Sequence, residues 1–488
     1  MIAFTAAEIA DITKGRLDAD PGITPLSVVT DSREATAGSL YVAKPGEYAD
    51  GHSFVEAAFA AGATLALVER TVAAPDGSPY PSVVVPDAVL AMGALAAEAV
   101  RRIRAARAEA NEELTVIGIT GSAGKTTTKD LLAGILSRHG ATVAPRGSYN
   151  GEIGVPLTVF TAGTDTRYLV IEMGATGIGH IKYLAEMVRP DIGVVLGVGT
   201  AHAGEFGGVE NIARAKGELV EGLAASGTAI INLDDDRVAD MRARTSASVV
   251  GFSAEGRPGA AVQALTADTN AEGHPEFDLL LPGAETTHHV SSRLIGAHHV
   301  SNLLAAAAAA WAAGIPGKEI AAALSGQTAA SRWRMERTER EDGVTIINDA
   351  YNANPESMRA ALRTLADLGQ GRRTWAVLGA MLELGEDSIR EHTAVGTQVV
   401  RLNISRLVVV GREARALYVS AVQEGSWGDE CVFAETADDA YELLSAELEP
   451  GDLVLFKSSN SVGLRHLGDR IALPPQTPQP ADERSTLL

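Results

Sequence analysis

A chain of 488 residues exceeds what one hydrophobic core organises and, at roughly 100–200 residues per unit, is expected to fold as about three domains. Hydrophobic residues make up 46% and charged residues 21%, a globular balance, while 62 acidic against 41 basic side chains leave a net charge of −21. Such a surface repels phosphate backbones, so no nucleic-acid partner is expected, and the lone Cys431 excludes an intrachain disulfide and fits a reducing compartment. The opening MIAFTAAEIADITKG lacks the basic start and long apolar run of a signal peptide. The most apolar stretch, 303–315, is alanine-rich and too short to span a bilayer, so a cytoplasmic location without membrane insertion is expected.

From residue 1 to about 110, short apolar runs at 26–32, 39–43, 64–68 and 83–85 read as strands, and 54–61 and 88–106 as helices. From about 113 a larger unit begins, with β-rich runs at 114–119, 168–173, 192–198 and 228–232 separated by helical segments. That alternation predicts a parallel sheet with crossover helices. Residues 249–294 change to short alternating stretches, as antiparallel strands flanking the sheet would, before a long helix at 302–313. A third unit starts near Arg332, with strands at 344–349, 374–378, 407–410 and 453–456 and a helix at 355–368, a second doubly wound pattern. The expected α/β architecture is a small N-terminal domain (1–110), a central parallel-sheet domain (111–328) and a C-terminal Rossmann-like domain (329–472). The proline-rich, polar stretch 473–488 is expected to be a disordered tail.

LTVIGITGSAGKTTTKD sets a strand, a glycine-rich turn and a helix in succession. Glycines let the backbone curl until several N–H groups face phosphate oxygens, and the helix N-terminus adds partial positive charge. Gly121, Ser122, Ala123, Gly124, Lys125, Thr126 and Thr127 are therefore expected to hold ATP, with Lys125 on the β/γ-phosphates and the Thr126 hydroxyl on Mg²⁺. The general spacing G-x-x-x-x-G-K-[ST] needs glycine at 119, where this chain has Ile119; the pattern is the shorter G-x-x-G-K-T. A plain strand-to-helix turn with a surface lysine explains this cluster poorly.

Glu172 and His202 follow successive apolar runs, at the strand ends where open α/β sheets bind ligands. Taken singly, each reads as a hydrogen-bonded loop residue; beside a phosphate loop, Thr126, Glu172 and His202 read as a set converging on magnesium. Lys216, within ARAKGE, reads by pattern alone as a solvated helix lysine.

Taken together, these segments resemble the Mur ligase family. GSAGKTTT resembles its short phosphate loop, and VIEMGA (170–175), VGTAHAGEFGG (198–208) and ARAKGE (213–218) resemble its central motifs in order and spacing. GAHHVSNLLAAAAA (296–309) is similar to the adenine-side motif, and NDAYNANPESM (348–358) to the start of the C-terminal domain. DSREATAGSLYVA (31–43) and SYNGEIGVPLT (148–158) are similar to substrate-side stretches. The NDAYNANPESM segment points to the family branch that adds D-alanyl-D-alanine to UDP-N-acetylmuramoyl-tripeptide.

The resemblance implies ATP-dependent amide synthesis through an acyl phosphate. Carried over, Thr126 and Glu172 bind one magnesium and His202 a second, and Lys216 is carbamylated into an anionic ligand. His299 and Asn302 lie on the adenine side, and Arg334, Asp349 and Asn352 reach the nucleotide from the C-terminal domain. Thr30, Asp31, Ser32, Arg33 and Asn150 fall on the muropeptide side, and 457–461 border the dipeptide. Lys125, Lys216 and His202 are the implied catalytic set, and a monomer is expected. His299 stands where many relatives carry asparagine, and Ala380 where an acidic residue is usual, so no role attaches to Ala380. A ligase with another amine acceptor, or a non-catalytic nucleotide switch, are the competing readings.

Overall fold

The computed structural model describes residues 1–46, 49–200, 203–425 and 430–473. Three sheets organise them, one for each unit.

The first sheet has five strands in the order Arg16–Asp18, Ser82–Val84, Leu65–Val68, Ser39–Val42, Ser27–Val29, parallel except for the first pairing. The run at 26–32 is extended only over Ser27–Val29; Asp31 then caps a 3₁₀ turn at Ser32–Glu34 with its side chain, ending the strand early. An initial helix, Ala6–Thr13, was not anticipated, although Thr5 and Glu8 form a capping box that the TAAE sequence spells out.

The long helix Ala88–Glu109 starts at the Asp87 cap and buries Met92, Leu95, Ala96, Ala99, Val100 and Ile103. One hydrophobic core runs from this helix into the central unit, reaching Ile171 and Leu219. Gly93 is required at that junction, because a Cβ there would lie 2.0 Å from the Tyr183 hydroxyl.

The central sheet has nine strands in the order Thr142–Val143, Tyr168–Glu172, Thr115–Thr120, Ile192–Val195, Thr228–Asn232, Ser248–Ser253, Val262–Thr269, Pro275–Leu280, His288–Ser291. Every pairing up to Val262–Thr269 is parallel, and only the last two strands join antiparallel. The antiparallel flank expected over 249–294 is thus confined to its second half. Pro275–Leu280 alternates buried and half-buried positions, as a sheet with one partly solvated face does. Helix His299–Ala312 buries Ala305 to Ala310 completely, enclosed by the central sheet and the helices Lys125–Leu136 and Gly317–Gly326, small side chains permitting the close approach.

The third sheet runs Glu336–Glu339, Thr345–Asn348, Leu453–Lys457, Thr374–Leu378, Arg406–Val410, Cys431–Ala434. It is parallel apart from the Glu336–Glu339 edge, whose charged alternation gave no strand signal in the sequence. Trp375 is its largest fully buried side chain. Among the described residues no helix is long and apolar enough to cross a membrane. The proposed tail beyond Leu473 lies outside the described residues.

Candidate active site

Strand Thr115–Thr120, third from one edge of the central sheet, feeds the glycine loop directly into helix Lys125–Leu136. A Cβ at Gly121 would fall 2.8 Å from Leu196 Cβ, and one at Gly124 (φ 82°) only 2.2 Å from Asn302 Oδ1. Both glycines are therefore needed for the backbone to pass so close to its neighbours. No side chain caps the helix, so its first N–H groups remain available to an anion. They open into a cleft of about 1150 Å³ lined by all three units, the N-terminal one contributing Lys44, Pro45 and Val89.

Lys125 curls back over the loop and donates to the Gly121 carbonyl at 2.7 Å. Enclosure in the cleft lowers its pKa, with Glu172 opposing that shift and Arg334 adding to it.

Glu172 forms the cleft floor and is fully buried. It accepts from Thr126 Oγ1 at 2.9 Å on one oxygen, and from Ser148 Oγ at 3.0 Å and Asn150 Nδ2 at 2.8 Å on the other. Asn150, expected toward the substrate, is thus brought onto the Glu172 carboxylate.

Lys216 lies on helix Val209–Glu221 with 6% exposure, which corrects the pattern-only picture of a solvated lysine. The helix turns this face inward toward the cleft. Burial, reinforced by the nearby Lys125 charge, pushes its pKa down to about 7. His202 lies outside the described residues. Among the described residues no cluster of three His, Cys, Asp or Glu is gathered. Thr126 Oγ1 and Glu172 nevertheless offer the hard oxygen donors that suit Mg²⁺.

On the opposite side of the loop, Asn302 Nδ2 and His299 Nδ1 are 3.2 Å apart, both residues buried. Burial holds the His299 pKa well below the usual histidine range, and its ring lies 4.1 Å from that of His298.

The C-terminal unit closes the cleft. Arg334 Nη2 donates to Thr126 Oγ1 at 2.8 Å. Asp349 accepts from the Met335 N–H at 3.0 Å and from Lys457 Nζ at 2.5 Å, and Lys457 also donates to the Asn352 carbonyl at 3.1 Å. Lys457 thus has its ammonium committed within its own unit, and it lines the cleft together with Ser459 to Ser461. Ala380 is buried, its carbonyl accepting from the Ser459 N–H.

Thr30, Asp31, Ser32 and Arg33 are not brought into this cleft. Instead Asp31 pairs with Arg33 at 2.6 Å, and that guanidinium holds the Asp31 pKa at about 2.

Residue-by-residue reading missed the contacts between units. Glu356 Oε1 accepts from the Thr200 N–H and hydroxyl, Asn354 Nδ2 donates to the Ser122 carbonyl at 3.3 Å, and Ser331 donates to Asp130 at 2.6 Å. The first two residues sit within NDAYNANPESM, but nothing local in that string names a partner far away in sequence.

Comparison with known proteins matches residues 27–114 to the Mur ligase family, catalytic domain, 119–310 to the Mur ligase middle domain, and 333–460 to the Mur ligase, glutamate ligase domain. The UDP-N-acetylmuramoyl-tripeptide--D-alanyl-D-alanine ligase of Mycobacterium tuberculosis (strain ATCC 25618 / H37Rv) is 43% identical, covering 96% of this chain and 98% of the relative. The protein of the same name from Escherichia coli (strain K12) is 35% identical over 86% of this chain and 88% of its own length. Among solved structures, MurF from Acinetobacter baumannii superposes with a TM-score of 0.84 at 32% identity, covering 97% and 99% of the two chains. MurF ligase from Thermotoga maritima, in complex with ADP, gives 0.76 at 26% identity, covering 91% and 97%. A three-unit α/β chain, with a phosphate loop facing residues from each of its units, therefore belongs to the Mur ligase family.

Proposed function

We propose that this ligase joins D-alanyl-D-alanine to UDP-N-acetylmuramoyl-tripeptide at the expense of ATP, giving the pentapeptide precursor of peptidoglycan. The observation that carries the reading is the meeting of the Gly121–Thr127 loop, Glu172 and the Asp349–Asn354 segment in one cleft. The relatives' names supply the substrates.

The chemistry has two steps. A carboxylate oxygen of the tripeptide attacks the γ-phosphorus of ATP, and the bond to the β,γ-bridging oxygen breaks, releasing ADP and leaving an acyl phosphate. The dipeptide amine then attacks the acyl carbon, inorganic phosphate leaves through a tetrahedral intermediate, and the amine proton is lost. Both steps bring electron-rich groups together, so catalysis rests on offsetting charge. The loop N–H groups, Lys125 and Arg334 surround the phosphate position and lower that repulsion.

Thr126 and Glu172 would hold Mg²⁺ through oxygen, with His202 in the implied second site; the ion supplies charge neutralisation on the transferring phosphoryl group. A carbamate on Lys216 would add one negative charge shared by two oxygens to that donor set, and its partly neutral amine suits the modification. His299 and Asn302 take the adenine side, Asp349 and Asn352 the nucleotide from the C-terminal unit, and Thr30 to Arg33 with Asn150 the muropeptide side. Residues 1–110, 111–328 and 329–472 act as muropeptide-binding, ATP-binding and dipeptide-delivering domains. A monomer is the working unit that suits this reading, and nucleotide substrates suit a cytoplasmic location.

A product assay by mass spectrometry tests the reading, using tripeptides ending in lysine or in diaminopimelate and offering D-alanyl-D-alanine, D-glutamate and diaminopimelate as amines. Pentapeptide formation with D-alanyl-D-alanine is expected. Turnover only with another amine would reassign the acceptor, and ATP binding without turnover would make the chain a nucleotide switch.

A further inference from the structure

Arg334 reaches the phosphate loop from a backbone that does not favour its position. Its neighbours Trp333 (φ 59°) and Met335 (φ 52°) both adopt the left-handed region, which costs a non-glycine residue free energy and is seen where the surroundings enforce it. The enforcement is visible. The Trp333 carbonyl accepts from the Tyr351 N–H at 3.1 Å, the Trp333 indole donates to Asp469, and the Met335 N–H donates to Asp349.

The guanidinium itself is half-buried. Its centre lies 4.3 Å from the centroid of the Tyr351 ring. Nη2 donates to Thr126 Oγ1 at 2.8 Å, and the adjacent Nε–H is buried without a hydrogen-bond partner. Nε and Nη2 form one edge of the guanidinium, the two-pronged edge that matches two oxygens of a phosphate or carboxylate. A buried donor left unmatched on that edge, beside a phosphate loop, points to a ligand oxygen.

Within the phosphoryl-transfer reading given above, we propose that Tyr351 is a positioning residue. Its ring fixes the plane of Arg334, so that the Nε–Nη2 edge meets the terminal phosphate of the nucleotide held by the Gly121–Thr127 loop. The ring acts through its face, and its hydroxyl is not required. The segment 333–335 sets where the side chain starts, the stack sets its rotation, and the Thr126 hydroxyl holds one prong until phosphate oxygens take both.

The test separates this role from a structural one. Equilibrium dissociation constants are measured for ADP and for a non-hydrolysable ATP analogue, AMP-PNP, with thermal midpoints alongside. Tyr351→Leu is expected to weaken AMP-PNP about tenfold while ADP changes less than about twofold, because only the terminal phosphate meets Arg334. Tyr351→Met, which keeps the bulk but has no ring, is read in the same way if Tyr351→Leu lowers the midpoint. Tyr351→Phe should bind both nucleotides as the parent does. In an Arg334→Lys background, which lacks the planar fork, Tyr351→Leu should add less than about twofold.

Equal weakening of ADP and AMP-PNP would overturn the proposal, as would losses that multiply fully in the double variant. A loss in Tyr351→Phe matching that in Tyr351→Leu would do the same by assigning the role to the hydroxyl. These binding ratios do not depend on which amine the enzyme joins, so failure to make pentapeptide leaves them interpretable.

Discussion

Glu356, on the first turn of helix Pro355–Leu368, accepts at 2.9 Å from both the N–H and the hydroxyl of Thr200, across the boundary between the central and C-terminal units. Gly199 makes room for it, since a Cβ there would lie 2.7 Å from the Glu356 carboxyl carbon. The clasp joins the loop after strand Ile192–Val195 to the first turn of a C-terminal helix, so it favours the closed cleft.

Glu356→Ala should therefore shift the protein toward an open arrangement. Removing a hydrogen-bonded carboxylate is worth about 1–3 kcal/mol, which corresponds to at least about a fivefold loss in kcat/KM. Glu356→Gln keeps an acceptor oxygen and should lose less. Small-angle scattering with bound ADP checks the cause: an unchanged radius of gyration in Glu356→Ala would contradict the clasp.

Lys125→Ala removes the ammonium that curls over the phosphate loop. ADP formation should drop by a factor of about a hundred or more, while muropeptide binding is retained. Titration calorimetry with the muropeptide and a coupled ADP assay separate the two effects. Normal ADP release would remove this lysine from phosphoryl transfer.

The depressed pKa of Lys216 predicts a pH dependence with a definite sign. Below about 7 the amine is protonated and has no lone pair for carbon dioxide; above that value the neutral form predominates. Carbamate, followed by ¹³C NMR in labelled bicarbonate, should grow as pH rises through about 7. Linkage gives the same direction for this group's effect on folding. An unfolded lysine keeps its proton up to its ordinary 10.5, so the unfolded chain binds more protons in that window and the contribution to stability rises with pH. Lys216→Ala should lose most activity, and added bicarbonate should not restore it; full turnover in the variant would exclude the lysine from the mechanism.

Asn354 has two tasks. Its side chain caps helix Pro355–Leu368 in a reciprocal box with Ser357, and its Nδ2 donates to the Ser122 carbonyl of the phosphate loop. Asn354→Ala should lower stability by about 1 kcal/mol through the cap alone. Asn354→Asp keeps the cap but has no N–H for Ser122, so it should hold the thermal midpoint while weakening nucleotide binding. Equal thermal losses in both variants would show that the cap is not the source.

Much of the fold was legible because its signals are local. Apolar strand runs, the Asn354–Pro355 helix start and the glycines of the phosphate loop each lie within a few residues of what they specify. The edge strand Glu336–Glu339 was not legible, because its charged alternation carries no hydrophobic signal and its pairing with Thr345–Asn348 supplies the order. The parallel pairing of Ser248–Ser253 was missed because strand direction depends on how the chain crosses over from Thr228–Asn232, which alternation along a strand does not show.

The sequence by itself determined the phosphate loop, since glycine spacing and a following Lys-Thr act through backbone geometry within a single turn. It also determined the family resemblance, through motifs spread across three units. Only the tertiary structure decided that Lys216 is buried, because one helical turn cannot reveal which face packs inward. The fold likewise brought Asn150 to Glu172, left Thr30 to Arg33 outside the cleft, and set Arg334 between Tyr351 and Thr126. Those relationships join residues as many as 208 positions apart. Proximity over such separations comes from packing three domains together, and no local pattern encodes it.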